Sequence, residues 1–216
     1  MVHNLGLSSS IVNHFISEIR DINIQQDRMR FRRNLERMGE IFAYEISKEL
    51  EYKDKDVTTS LGSAIVPVIK EQPIVATILR AGLPLHQGIL NYFDQADNGF
   101  ISAYRKHHKD GSFEIKLEYV SCPSLDNRVL ILCDPMLATG ASMVSTYKAM
   151  QEMGKPSHTH IVSVLASTQG IEHLKSQLPM ERISIWAAAI DEELTAQSYI
   201  VPGLGDAGDL AYGQKL

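Results

Sequence analysis

The sequence predicts an α/β fold: a central, mainly parallel sheet flanked by helices, with a protruding β flap and helices at the N-terminus. Three observations point there. Past residue 73, short apolar runs alternate with segments of helical periodicity, the rhythm of parallel strands joined by crossovers. The runs are continuous rather than alternating, as in Val129-Leu130-Ile131-Leu132-Cys133, and so read as strands covered on both faces. The 216 residues are 44% hydrophobic and 22% charged, an ordinary composition with enough apolar mass for one core.

Taken in order, Ser8-Ser9-Ser10 offers an N-cap to an amphipathic helix carrying Ile11, Val12, Phe15, Ile16 and Ile19. A longer helix spans about Asp27 to Leu50, its faces marked by Phe31, Leu35, Met38, Phe42, Ile46 and Leu50. Arg28, Arg30, Arg32, Arg33 and Arg37 crowd its first half. They read as a solvated face paired with Glu36, Glu40 and Glu45, with an anionic ligand or a partner as the other reading. Val57–Ser60 and Ser63–Ile69 make two strands about a tight turn. Ile74–Leu79 is a buried strand, Leu83–Phe93 a helix with Pro84 in its first turn, and Phe100–Tyr104 a strand.

The polar stretch 105–111 should be mobile, and Phe113–Val120 returns as a strand, so residues 100–120 form a β flap. Val129–Cys133 is followed by a helix from about Ser142, stopped by Gly154 with Pro156 beyond. Ile161–Ala166, Gln169–Leu178 and Ile183–Ile190 complete the strand–helix–strand series. We see no repeat or linker, and expect residues 1–216 to form one domain with residues 1–56 as a helical extension.

Several function classes drop out. A net charge of -5 and a pI near 5.9 argue against nucleic acid as a partner. Cys122 and Cys133 are too few for a disulfide framework and suit a reducing cytosol. No apolar run approaches the length of a membrane span, so a cytoplasmic protein is expected. Gly203-Leu204-Gly205-Asp206-Ala207-Gly208 spells the dinucleotide fingerprint G-x-G-x-x-G, but Pro202 precedes it. Too little chain follows for the helix and second strand that such a site needs. His158 and His160 have no third ligand nearby, His107 and His108 lie in the polar flap, and Trp186 belongs to the core.

The remaining signals converge at the carboxyl ends of the strands, where α/β sheets bind ligands. The stretch Asp134-Pro135-Met136-Leu137-Ala138-Thr139-Gly140-Ala141-Ser142 joins a buried strand to a helix N-terminus. Free backbone N–H groups, the helix dipole and the Thr139 and Ser142 hydroxyls make that a seat for a phosphate. It is not a nucleoside-triphosphate P-loop, since no G-x-x-x-x-G-K-[ST] occurs. Arg80 follows one strand and Arg105 another, two cations in an acidic chain, as expected of a site that holds a polyanion. The segment 199–213, rigidified by Pro202 and poor in bulky side chains, can read the flat edge of a pyrimidine through main-chain groups. A mismatched base would leave such groups buried and unpaired.

The wording D-P-M-L-A-T-G, with Ile78-Leu79-Arg80-Ala81-Gly82 and Tyr199-Ile200-Val201-Pro202-Gly203-Leu204-Gly205-Asp206-Ala207-Gly208-Asp209, resembles the uracil phosphoribosyltransferase family of type I phosphoribosyltransferase fold. The resemblance covers Ile78 to Gly213 strongly. It implies magnesium-dependent transfer of a phosphoribosyl group from phosphoribosyl diphosphate to uracil. Arg80, Arg105 and Mg2+ would hold the diphosphate and Asp134 a ribose hydroxyl, with the metal reached through water and substrate oxygens. Tyr199, Ile200, Gly205 and Ala207 would face uracil, while Asp206 orients or deprotonates the reacting nitrogen. It further implies a non-proline cis peptide next to Arg80, expected at the Arg80–Ala81 bond. A homodimer or homotetramer and GTP as a possible activator follow from the same likeness. Two departures stand out. Leu210 occupies the position of a usual arginine, and Leu194-Thr195-Ala196-Gln197-Ser198 replaces L-N-x-x-G. Rival readings are a related enzyme for another base, or a phosphoribosyltransferase-like regulator that binds nucleotide or RNA.

Overall fold

The computed structural model describes residues 1–107 and 113–214, with side chains described outside 103–117. Strand β1 (Val2–Asn4) leads through a single turn of 3-10 helix into α1 (Ile11–Arg20). A capping box starts α1: Ser10 Oγ accepts from Val12 N at 3.2 Å and Asn13 Oδ1 accepts from Ser10 N at 2.8 Å. Helix α2 (Arg28–Ser47) is capped by Asp27, whose Oδ1 accepts from Arg30 N at 3.0 Å. Phe31, Leu35, Met38, Phe42 and Ile46 recur at helical spacing on its buried face.

Strands β2 (Tyr52–Thr59) and β3 (Gly62–Ile69) form an antiparallel hairpin outside the main sheet. The hairpin begins at Tyr52, earlier than Val57, because the alternating Lys53-Asp54-Lys55-Asp56 carries no apolar signal. There follow β4 (Ile74–Leu79), α3 (Leu83–Leu90), β5 (Asp97–His107), β6 (Phe113–Ser121), β7 (Val129–Cys133) and the two-residue β8 (Met136–Leu137). The chain ends with α4 (Ala141–Met150), β9 (His158–Ser167), α5 (Thr168–Gln177), β10 (Ile183–Asp191), β11 (Glu193–Leu194), β12 (Ile200–Val201) and α6 (Ala207–Tyr212).

The main sheet runs β1-β10-β9-β7-β4-β5-β6, with β8 beside β9. Every pairing in it is parallel except β5 with β6. From β4 the chain winds through α3 to β5, whereas from β7 it winds the other way through α4 to β9 and through α5 to β10. Since β4 and β7 are neighbours, in register at Ile74↔Leu130, the winding reverses between them. The loops after these two strands therefore diverge and leave a crevice.

Alternation along the strands serves two cores. Val75, Ile131 and Cys133 pack with α1, α2 and α3 on one face; Ile74, Ala76, Leu130 and Leu132 pack with α4 and α5 on the other. The continuous apolar runs are explained by this double covering. Trp186 is buried, as the sequence suggests. The two-residue strands β8, β11 and β12 escaped the sequence reading, as did two larger elements. Three-residue β1 is held at an edge by β10, through Val2↔Ile185 to Asn4↔Ala187. Helix α6 occupies the C-terminal segment that reads as a loop unable to fit a helix, a correction: Asp206 caps it by accepting from Asp209 N at 2.9 Å. Of the polar stretch 105–111, expected to be mobile, residues 105–107 belong to β5 and the rest lies outside the described residues.

Candidate active site

The crevice at the winding reversal is a cavity of about 590 Å³ lined by the ends of β4 and β7, the loop into α4 and the segment 197–208. Its first wall is the loop after β7. Pro135 O accepts from Val164 N at 3.1 Å and Leu165 N at 3.0 Å, so the loop is laced to β9 before it turns. Ser167 Oγ donates to Ala138 O and accepts from Gly170 N at 2.8 Å, joining the loop to the start of α5. At its end Gly140 takes φ 78°, and a Cβ there would lie 2.7 Å from Leu174 Cδ1 and 2.9 Å from Gly170 O. Only glycine turns the chain this way so close to α5. Helix α4 begins at the next residue, and Gly140, Ser142 and Met143 line the cavity, so the positive end of the helix dipole lies at its wall.

The second wall carries Arg80. The bond that is cis is Leu79–Arg80, which corrects the expectation of Arg80–Ala81: the unusual peptide precedes the arginine. The guanidinium, 41% exposed, lies 3.4 Å from Asp209 Oδ1, and Nη2 donates to Gly213 O at 3.0 Å. Arg80 is thus tied to α6 from across the cavity. Arg105 lies inside β5 rather than after a strand that ends at Tyr104, a correction; its backbone pairs with Ile115, while its side chain is outside the described residues.

The third wall is the C-terminal segment. Antiparallel β11 and β12 pair Glu193 with Val201 and Leu194 with Ile200. Thr195 Oγ1 accepts from Tyr199 N at 3.1 Å, and Thr195 N donates to Tyr199 O at 2.8 Å, closing a turn in which Ser198 adopts φ 66°. Ile200, Leu204 and Ala207 are buried, whereas Gly205 is exposed at φ 96°. Pro202 follows a cis peptide.

Two carboxylates face this space. Burial pushes Asp134 up to about 7; a hydrogen bond from Met136 N opposes the shift and the negative charge of Asp206 adds to it. Asp134 therefore changes charge close to neutrality, and a cation or hydroxyl donor entering the site will favour its ionised form. Among the described residues no cluster of three or more His, Cys, Asp or Glu could hold a metal ion. Asp134 and Asp206 do fit a cation that keeps most of its water shell and binds chiefly to phosphate oxygens, the habit of magnesium.

Of the residues singled out in the sequence, Arg80, Asp134, Met136, Leu137, Ala138, Thr139, Gly140, Ser142, Tyr199, Ile200, Gly205, Asp206 and Ala207 line this one cavity. Pro135 faces β9 instead, and Ala141 N is turned to Thr139 Oγ1 at 3.4 Å.

Comparison with known proteins now decides the family. A family model described as uracil phosphoribosyltransferase matches residues 6–214. A uracil phosphoribosyltransferase of Porphyromonas gingivalis is 52% identical over 215 residues, covering 100% of this chain and 99% of its own. One from Methanothermobacter thermautotrophicus is 33% identical, covering 96% of this chain and 94% of its own. The chain belongs to the uracil phosphoribosyltransferase family. Among solved structures, the AQ2163 protein of Aquifex aeolicus superposes with a TM-score of 0.87 at 28% identity, over 99% of this chain and 98% of its own.

Within the uracil phosphoribosyltransferase framework both departures find physical places. Leu210 packs against the core shared by α1, α2 and α3. Ser198 takes the left-handed conformation for which the family's usual glycine is suited. The arginines of α2 differ from expectation. Arg33 pairs with Glu36 at 2.7 Å, as read, but Arg30 pairs with Glu18 of α1 and Arg32 donates to Ala211 O of α6 at 2.7 Å. Together with Asn34, Arg30 holds Glu18 down at about 2. Gln197, Ser198 and Gly208 also line the cavity; the sequence names them only as parts of motifs and gives them no site role, because nothing local shows which way they face.

His158 and His160 sit at the amino end of β9, at the opposite end of the strand from the cavity. There His160 Nδ1 accepts from Trp186 Nε1 at 3.1 Å and His3 stacks on Trp186 at 3.8 Å.

Proposed function

We propose that this protein salvages pyrimidine by joining the 5-phosphoribosyl group of 5-phospho-α-D-ribose 1-diphosphate to N1 of uracil, giving UMP and diphosphate. The carrying observation is that a phosphate-seating loop, an arginine and a glycine-rich segment from three distant parts of the chain line one cavity, in a chain 52% identical to a named uracil phosphoribosyltransferase along its whole length.

In this reading the α4 N-terminus with Thr139 and Ser142 binds the 5′-phosphate, and Asp134 accepts from a ribose hydroxyl. The C1–O bond to diphosphate breaks with its electron pair leaving on oxygen. The N1–C1 bond forms as N1 gives up its proton. Arg80 and Arg105 offset the charge that builds on the leaving group. Main-chain groups around Tyr199, Ile200, Gly205 and Ala207 orient the base, and Asp206 orients or takes the N1 proton. Positioning of the two reactants and preorganised electrostatics together account for the expected acceleration. Magnesium, when bound with the diphosphate and reached through water by Asp134 and Asp206, supplies further charge neutralisation.

The chain acts in this proposal as one domain in the cytoplasm; its two free thiols suit a reducing compartment. A homodimer or homotetramer is supported by the hairpin of β2 and β3. It exposes Leu61 and Ile65, and a lone two-stranded hairpin is only marginally stable in water. GTP as activator is the remaining element. The test is turnover with uracil, phosphoribosyl diphosphate and magnesium, run with and without GTP and with cytosine as competitor. UMP and diphosphate in equal amounts are expected, with cytosine excluded. Absence of uracil turnover under all these conditions overturns the reading.

A further inference from the structure

The base-reading segment is held from outside the cavity, at Gly203. Both main-chain groups of this residue are engaged. Its N–H donates to Asp191 Oδ2 at 3.0 Å, and its carbonyl accepts from Arg20 Nη1 at 3.0 Å. The two side chains are themselves joined in a fork, Arg20 Nη1 to Asp191 Oδ2 and Nη2 to Oδ1, each at 2.8 Å. Asp191 is 8% exposed and Arg20 21%. Gly203 takes φ 55°, and a Cβ there would lie 2.0 Å from Ile200 O, so the clamp grips a turn that has no room for a side chain. Next to it, Gln25 donates to Leu204 O at 2.8 Å and to Ile19 O at 3.2 Å, in the amide orientation that satisfies both carbonyls.

The partners come from three places: the last residue of α1, the last residue of β10, and the segment just before Gly205 and Asp206. A buried ion pair is a weak source of stability, because desolvation consumes most of its Coulombic gain. Its forked geometry does fix direction. We infer that Arg20 and Asp191 are positioning residues for the pyrimidine, setting through Gly203 the height and tilt of the Gly205–Ala207 backbone. The N-terminal helix α1 is thereby part of the base site although it lines none of the cavity. This rests on the reading of the segment 199–208 as the one that meets uracil.

The experiment measures kcat and both KM values for wild type, Asp191→Asn, Arg20→Lys and Ala207→Val. Asparagine cannot accept both arginine bonds and the Gly203 bond at full strength, and an ammonium cannot make the fork. The uracil KM is expected to rise about ten-fold in each clamp variant, the equivalent of one charge-assisted hydrogen bond, while the KM for phosphoribosyl diphosphate stays within about two-fold. A general loosening of the fold would move both constants together, and that outcome overturns the inference, as does an unchanged uracil KM. Should Asp191→Asn fail to fold, Arg20→Lys, which keeps the charge, decides alone. Ala207→Val separates the two levels. No effect there on uracil KM refutes the assignment of the segment, whereas an effect there with none in the clamp variants refutes only the clamp.

Discussion

Asp206 has two roles that a single substitution separates. Its carboxylate caps α6 by accepting from Asp209 N at 2.9 Å, and it also faces the cavity close enough to raise Asp134. Asparagine caps a helix about as well as aspartate. Asp206→Asn should therefore leave the melting temperature nearly unchanged while kcat falls by roughly 100-fold or more, the usual scale for a lost proton acceptor. Steady-state kinetics beside a thermal melt makes the comparison, and wild-type turnover would exclude proton transfer by Asp206. At the other end of the strands, burial holds His160 down to about 3, with His158 and His3 adding to the shift. The unfolded chain, with an ordinary value of 6.5, binds that proton more tightly. Stability linked to His160 is therefore complete above 6.5 and drains away as pH falls towards 3. His160→Gln keeps an acceptor for Trp186 Nε1 and should flatten this dependence. Denaturant melts at pH 7 and pH 5 read it directly, and equal slopes for the two proteins would count against it.

For whole elements, the loop between β7 and α4 shows how a local signal becomes a site. Its strand, hydroxyls and glycine are adjacent in sequence, so its character is visible in a short window. Gly140→Ala should cost roughly 1–3 kcal/mol, since the new Cβ meets Leu174 and Gly170 in a left-handed backbone. The same change tilts the first turn of α4, so the KM for phosphoribosyl diphosphate should rise much more than that for uracil. Urea unfolding and kinetics check both halves. Helix α6 shows the opposite case. It has six residues with Gly208 inside, and no helical pattern announces it; Arg32 of α2 holds Ala211 O at 2.7 Å from 179 positions away in sequence. Strand β1 is hidden for the same reason, since its register comes from β10.

Across the whole molecule, the cavity lies where two cores meet at the rim of one sheet, so a ligand there bridges parts that would otherwise move apart on unfolding. Phosphoribosyl diphosphate binds the folded chain alone and should raise its melting temperature. At about 100 times Kd the linkage is roughly 2.7 kcal/mol, or about 5–10 °C for a chain of this size. Magnesium should enlarge the shift. A melt unmoved by millimolar phosphoribosyl diphosphate with magnesium would contradict the cavity as the binding site.

The sequence on its own determined the parallel α/β class, the helix starts at Ser10 and Asp27, and the three motifs about Arg80, Thr139 and Gly205. Each of these depends on capping, turn chemistry or burial within a few consecutive residues. Only the tertiary structure decided how the motifs meet. The reversal of winding between β4 and β7, the engagement of Arg80 by α6, the side on which its cis peptide falls, and the bracing of Gly203 by Arg20 and Asp191 all join residues far apart along the chain. Such contacts carry no periodicity, because they follow from two cores packing at once on the two faces of one sheet.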